Sequence, residues 1–263
     1  MTESVTVVIP SRLDQVHVET ADELWLDRAV ASVRKQTCSL PINIVVGLDH
    51  GAAAPSRFLE DAPEITFAVA DEVSQAAAIN AAVTEASGTY LAMLEDDDRW
   101  QPRFLENALE AIKECEFVSS NQLELPPDDV VGHINDFATP SGWFMRRSLW
   151  SEIGDMDTSF RFHLDNDWLG RLSDQGNRRV HLVEAGAATN LDDLKENRPF
   201  LHSVINAKPG FNFVVRHGED APLVLRTANP LGGMSMIKMS PQARAQSEAE
   251  QTRLIEKFGR FPY

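Results

Sequence analysis

Short unbroken apolar runs alternate with stretches of helical period over the first 120 residues, the order expected of a mostly parallel sheet crossed by helices. Val5–Ile9 is a β-branched run closed by Pro10, and Ile42–Leu48 and Thr89–Leu94 repeat that pattern. Between the first two, Leu24, Leu26, Ala29, Val30 and Val33 sketch one helical face. Ser74–Ala86 is alanine-rich with Ile79 and Val83 four apart, which predicts a helix with small side chains. Pro102 suits the first turn of a helix whose Phe104, Leu105, Ala108, Leu109 and Ile112 are apolar, and Glu116–Ser119 reads as a further strand. Right-handed βαβ crossovers then give an α/β fold.

The second half is less regular. Leu123–Thr139 is a polar stretch with Pro126, Pro127 and three aspartates, read as a loop. Trp143–Met145 predicts a strand, Arg147–Ile153 a short helix, Asp165–Gln175 a helix stopped at Gly176, and Arg179–Val183 a strand. Phe211–Arg216 and Leu223–Thr227 flank a turn-rich segment and predict a hairpin. Gly232–Met236 reads as a flexible strip, and Gln242–Phe258 as a terminal amphipathic helix. The expected organisation is a domain over 1–190, its halves meeting near 120, followed by an irregular extension over 191–263.

Composition narrows the function classes. The net charge of −16 disfavours bare nucleic acid and anionic membrane, because such a surface repels phosphates. No segment approaches the roughly 20 apolar residues of a membrane span, and the first residues carry no basic, apolar leader, so a soluble cytoplasmic protein is expected. Cys38 and Cys115 stand far apart without ligand partners at zinc spacing and read as reduced thiols. The composition leaves room for a homo-oligomer.

The chemistry concentrates where the third predicted strand ends in Glu95-Asp96-Asp97-Asp98. Four adjacent carboxylates repel one another unless a cation sits among them, and in open α/β sheets ligands bind at that edge. On an extended segment Glu95 and Asp97 would share one face, a hard oxygen set suited to Mg2+ or Mn2+. A plain acidic turn ahead of a helix is the competing reading. A calcium loop is excluded, since Trp100 stands where such a loop needs glycine. A second acidic group surrounds His163-Leu164-Asp165-Asn166-Asp167-Trp168; Asp165 reads either as a helix cap or as a general base. No nucleophile elbow, Walker loop or dinucleotide glycine motif occurs.

The blocks VTVVIPSR, INIVVGLDHG, AAAINAAVTEASGTYLAMLEDDDRWQP, SGWFMRRSLWSEIGDMD and LDNDWLGRLSDQG together resemble the family 2 glycosyltransferases of the GT-A fold, over about residues 4–185. The resemblance implies a Rossmann-like, mostly parallel sheet flanked by helices. It implies transfer of a sugar from a nucleoside diphosphate donor to a glycan or small-molecule acceptor, with Mn2+ or Mg2+ as cofactor and inversion at the sugar. Its metal motif falls on Glu95–Asp98, implying Asp97 as metal ligand with Glu95 near the metal or the donor ribose. It further implies Pro10, Ser11, Arg12, Asp49, Asn80 and Asp96 near the donor. Asp165 matches the base, or Asp167 in a register two residues on. His50, Ala78 and Glu95 depart from the family's usual residues. A sugar nucleotidyltransferase and a catalytically inactive binding module are the rival readings.

Overall fold

The computed structural model describes residues 2–16, 23–62, 64–126, 132–187, 189–205, 213–230 and 232–263. Five strands set the frame: β1 (Val5–Ser11), β2 (Ile42–Leu48), β3 (Ile65–Val69), β4 (Tyr90–Met93) and β6 (Phe117–Ser120), with the two-residue β5 (Arg99–Trp100) between the last two. They continue with β7 (Gln122–Leu125), β8 (His133–Asn135), β9 (Phe144–Arg146), β10 (Arg179–Val183), β11 (Phe213–His217) and β12 (Val224–Thr227). Eight of these form one sheet in the order β11-β10-β6-β9-β4-β1-β2-β3, parallel except for β9, which runs antiparallel to β4 and β6. A second sheet, β5-β12-β7-β8, sits beside the ends of β4 and β6. Every residue of β1 is buried, as a strand covered on both faces requires.

Helices α1 (Trp25–Arg34), α2 (Ser56–Asp61), α3 (Gln75–Glu85) and α4 (Phe104–Ala111) cross between the strands of the first half. The alanines of α3 let it lie almost on the sheet. A Cβ on Gly47 of β2 would come within 2.0 Å of the Ala78 carbonyl oxygen, so the glycine serves packing and not a phosphate loop. Helices α5 (Arg147–Ile153) and α6 (Leu164–Asp174) share the α3 face of the sheet, stacking Trp150 on Trp168 at 5.3 Å, while α1, α2 and α4 cover the other. The rest of the chain holds α7 (Leu191–Asn197), α8 (Pro199–Ile205), α9 (Gly233–Met239) and α10 (Pro241–Phe258). No helix among the described residues is long and apolar enough to cross a membrane.

Several expectations are corrected. The predicted hairpin does not form: β11 pairs parallel with β10 in the large sheet, while β12 pairs with β5 and β7 in the small one. Phe211 of that expected strand lies outside the described residues. The strip 232–236 is the start of helix α9, and the expected loop 123–139 contributes β7 and β8 around residues 127–131, which are not described. Helix α2 and strand β3 were not expected at all. Residues beyond 190 share the framework of those before it, since β11 extends the large sheet and Leu254 of α10 is fully buried against α6.

Candidate functional site

Strand β4 delivers the four acids to the carboxyl edge of the sheet, where they form a tight turn rather than an extended segment. The Asp98 N–H donates to the Glu95 carbonyl at 3.1 Å, so the alternating faces expected from the sequence do not arise. Each carboxylate meets a different part of the chain. Ser11 at the end of β1 donates to Asp96 at 2.6 Å. The Asn229 amide donates to Asp97 at 2.8 Å. Gln75 at the start of α3 donates to Glu95 at 2.7 Å. Asp98 is buried and accepts from Ser141 Oγ at 2.5 Å and from the Thr227 backbone N–H at 3.0 Å. Asp98 thus anchors the small sheet, leaving Glu95, Asp96 and Asp97 toward the site. Trp100 ties the turn down further, its indole N–H donating to the Ser141 carbonyl at 2.6 Å.

Concentrated negative charge shows in the acidities. Burial, reinforced by the charge of Asp97, pushes Asp96 up to about 7. Burial, with the charge of Glu95, pushes Asp97 up to about 6. Asp98 lies well above the usual carboxylate range, by burial first and then by Asp97 and Glu95. Arg12 acts on Asp96 from the end of β1, and a second cation faces the cluster from Arg226 on β12, missed by the sequence reading because it lies more than a hundred residues away. Burial opposes its charge, yet the carboxylates of Glu95, Asp98, Glu124 and Asp97 more than offset that and raise its pKa.

Asp165 stands in the first turn of α6, whose N-cap position is held by His163, so Asp165 is not the cap itself. It accepts from the Asn166 N–H at 2.9 Å. Burial raises it to about 6; the charge of Glu95 adds to this, and Arg226 opposes it. Asp165 thus lies within electrostatic reach of Glu95 and Arg226. Asp167 is committed elsewhere. Fully buried, it takes Arg171 Nε at 3.0 Å on one oxygen and Lys257 Nζ at 2.6 Å on the other. It fastens α6 to α10, with each oxygen already engaged by a cation.

The remaining candidates divide. Ser11 and Asp49 sit at the carboxyl ends of β1 and β2, and Asp49 accepts the Ser74 N–H at 3.1 Å, fixing the start of α3. Arg12 pairs with Asp14 at 2.7 Å on a half-exposed side chain. Pro10 is buried inside β1, paired with Gly47. Asn80 is engaged within the fold. Its amide donates to the Met156 carbonyl and accepts the Met156 N–H, both at 2.9 Å, clamping the loop ahead of α6.

Among the described residues no group of three or more His, Cys, Asp or Glu side chains converges at metal-binding geometry. The donor set that does exist, the oxygens of Glu95 and Asp97 in a turn where carboxylates outnumber cations, suits a hard cation that completes its shell with water and a ligand's phosphates.

Residues 6–124 match the family model Glycosyl transferase family 2. No curated protein matches the chain. Among solved structures, TarS of S. aureus is similar over 95% of this chain and 43% of its own, at TM-score 0.56 and 11% identity. TarS 1-349 in complex with UDP-GlcNAc is similar over 88% of this chain and 60% of its own, at TM-score 0.56 and 12% identity. The mannosyltransferase PcManGT from Pyrobaculum calidifontis, in complex with GDP-Man and Mn2+, is similar over 68% of this chain and 54% of its own, at TM-score 0.52 and 17% identity. The chain therefore spans about half the length of the structures it resembles, and they share its fold.

Proposed function

We propose that this chain, a member of glycosyl transferase family 2, moves a sugar from a nucleoside diphosphate to an acceptor hydroxyl with inversion at the anomeric carbon. One observation carries the reading: the oxygen-rich turn Glu95–Asp97 and the separate carboxylate of Asp165 meet at one sheet edge, electrostatically coupled to each other and to Arg226. Asp97 and Glu95 would hold Mn2+ or Mg2+, which when bound neutralises and orients the diphosphate leaving group. The neighbours solved with GDP-Man and Mn2+ and with UDP-GlcNAc support a nucleotide-sugar donor of this kind.

The chain's own groups do the rest. Ser11, Arg12 and Asp49 border the ends of β1 and β2, where nucleotides bind in folds of this type. Arg226 places a fixed positive charge beside the carboxylates and attracts the donor's phosphates into an otherwise acidic site. Asp165, held by the rigid start of α6, accepts the acceptor's proton as the hydroxyl attacks, help worth about 10²–10⁴ in rate. Asn80 fixes the approach to that helix through Met156.

The test is a thermal-shift panel of nucleoside diphosphates and their sugars, with Mn2+ and with a chelator, followed by a nucleoside diphosphate release assay. Metal-dependent stabilisation and release of the diphosphate support the reading. Pyrophosphate release would mark a nucleotidyltransferase, and binding without turnover a binding module.

A further inference from the structure

The carboxyl edge of the large sheet carries a second feature that the donor chemistry leaves unused. Past the end of β10 a cavity of about 670 Å³ opens between the turn at 184–187 and helix α7, with polar walls from Glu184, Asn190, Asp193, Asn197 and Arg198. Strand β10 is three places from β4 in the sheet order, about 14 Å at the usual strand spacing, with the small sheet seated beside the ends of the strands between. Beside this cavity lies an aromatic strip. Phe137 is 45% exposed, with its ring 4.3 Å from Phe200 and 5.9 Å from Tyr263. Phe261 continues the strip at 5.1 Å from Tyr263 and meets the His163 ring edge-on at 5.4 Å.

Both ends of the strip run into the candidate site. His163 is two residues before Asp165. At the other end, Phe137 stands four positions before Ser141, whose hydroxyl bonds Asp98 and whose Oγ accepts the Glu95 N–H at 3.0 Å. Four residues reach at most about 14 Å even fully extended. Arg198 links strip and cavity, pairing with Asp136 at 2.5 Å and with Glu184. Because that guanidinium is already neutralised by two carboxylates, the cavity offers no uncompensated cation to an anionic ligand. Aromatic faces beside amides and carboxylates instead match a sugar ring, which presents C–H groups on its faces and hydroxyls around its edge.

We propose that this cavity and aromatic strip bind the acceptor, and that the acceptor is a neutral oligosaccharide long enough to reach from Asp165 to Phe137. The inference rests on the glycosyltransferase reading of the adjacent carboxylates. Length follows from the strip itself: from the His163 ring it runs through Phe261 and Tyr263 to Phe137 in ring-to-ring steps of 5.4, 5.1 and 5.9 Å, so a ligand that covers it spans several rings. Neutrality follows from the paired Arg198 and from the chain's net charge of −16.

The experiment measures binding of neutral oligosaccharides (malto-, cello-, manno- and chito-series, one to six sugars) and of anionic oligouronates, by saturation-transfer NMR and calorimetry. Wild type, Phe137→Ala and Phe137→Tyr are compared. The side chain is half exposed, so the fold should survive its truncation, and circular dichroism checks that. At least one neutral series should bind the wild type more tightly as its length grows, Phe137→Ala should weaken that binding tenfold or more, and Phe137→Tyr should restore it. Binding of no neutral series, a preference for the anionic set, or equal binding by Phe137→Ala overturns the proposal. So does a wild-type dimer that Phe137→Ala converts to monomer in sedimentation, since a second copy would then be the occupant. Release of nucleoside diphosphate by the wild type, measured separately without any acceptor, reports on the glycosyltransferase reading and not on this one.

Discussion

Replacing Asp97 by Asn should make the metal-free protein more stable at alkaline pH, although it removes the residue that would hold the cation. The reason is the acidity of that side chain. Burial and the charge of Glu95 bring Asp97 to about 6 in the folded chain, against about 3.9 for an unfolded aspartate. Its folded-state pKa is raised, so the folded state binds the proton more tightly than the unfolded one. Below about pH 4 both states are protonated and the ionisation costs nothing; as pH rises through 6 the cost of ionising inside the fold is fully felt. Two pKa units correspond to about 3 kcal/mol, an upper figure because removing one charge also eases Glu95, Asp96 and Asp98. Asn keeps the shape and an oxygen for the Asn229 amide. For a chain of this size that cost is about 6–12 °C in Tm at most. Scanning calorimetry from pH 4 to 8 with a chelator should show the variant equal to wild type at the acid end and higher at the alkaline end. Adding Mn2+ and a nucleoside diphosphate should then raise the wild type and not the variant. A variant less stable than wild type at pH 8, or a difference that ignores pH, would refute the electrostatic argument.

Three further outcomes are expected. Turnover should rise with pH along a limb centred near 6, where burial has raised Asp165, and Asp165→Asn should lower kcat by about a hundredfold or more while leaving donor affinity intact. Asp167→Asn should instead cost stability, about 1–3 kcal/mol by urea denaturation, because Arg171 and Lys257 lose their shared partner but remain partly solvated; loss of turnover without loss of stability would contradict this. Asn80→Ala leaves the Met156 N–H and carbonyl without their side-chain partner and should cost about 1–3 kcal/mol, with faster amide exchange at residues 155–157.

The parts of the fold legible in the sequence are those whose surroundings are uniform. Strands β1, β2 and β4 are buried over most of their length, so apolar residues run almost unbroken through them and announce the strand. Strand β3 lies at the sheet's edge with two of its five residues exposed, and Ile65–Val69 therefore lacks that signature. The false hairpin has a different cause. Val224–Thr227 does have strand character, but its partners are Gln122–Leu125 and Arg99–Trp100, and local spacing carries no information about partners so distant. At the site, Glu95–Asp98 was conspicuous because like charges in a row demand an explanation. Arg226 and Asn229, which answer that demand from the far end of the chain, carry no local mark that ties them to the acidic turn. Asn80 and Asp167 show the converse: their chemistry suits a ligand, and only the structure reveals that Met156, Arg171 and Lys257 already occupy it.

The long reach of the acidic turn's anchors also sets a timetable for the molecule's birth. Asp98 waits for a backbone N–H that follows 129 residues later in the chain. At translation rates of about 5–20 residues per second that is roughly 6–26 s during which β1, β2 and β4 can pair behind the ribosome while their carboxylates stay open to water. The acidic turn therefore gains its last hydrogen-bond partners late, when the segment around Thr227–Asn229 docks. A nascent chain halted before that point would carry the recognisable motif and most of the sheet, with Asp97 and Asp98 still lacking those partners.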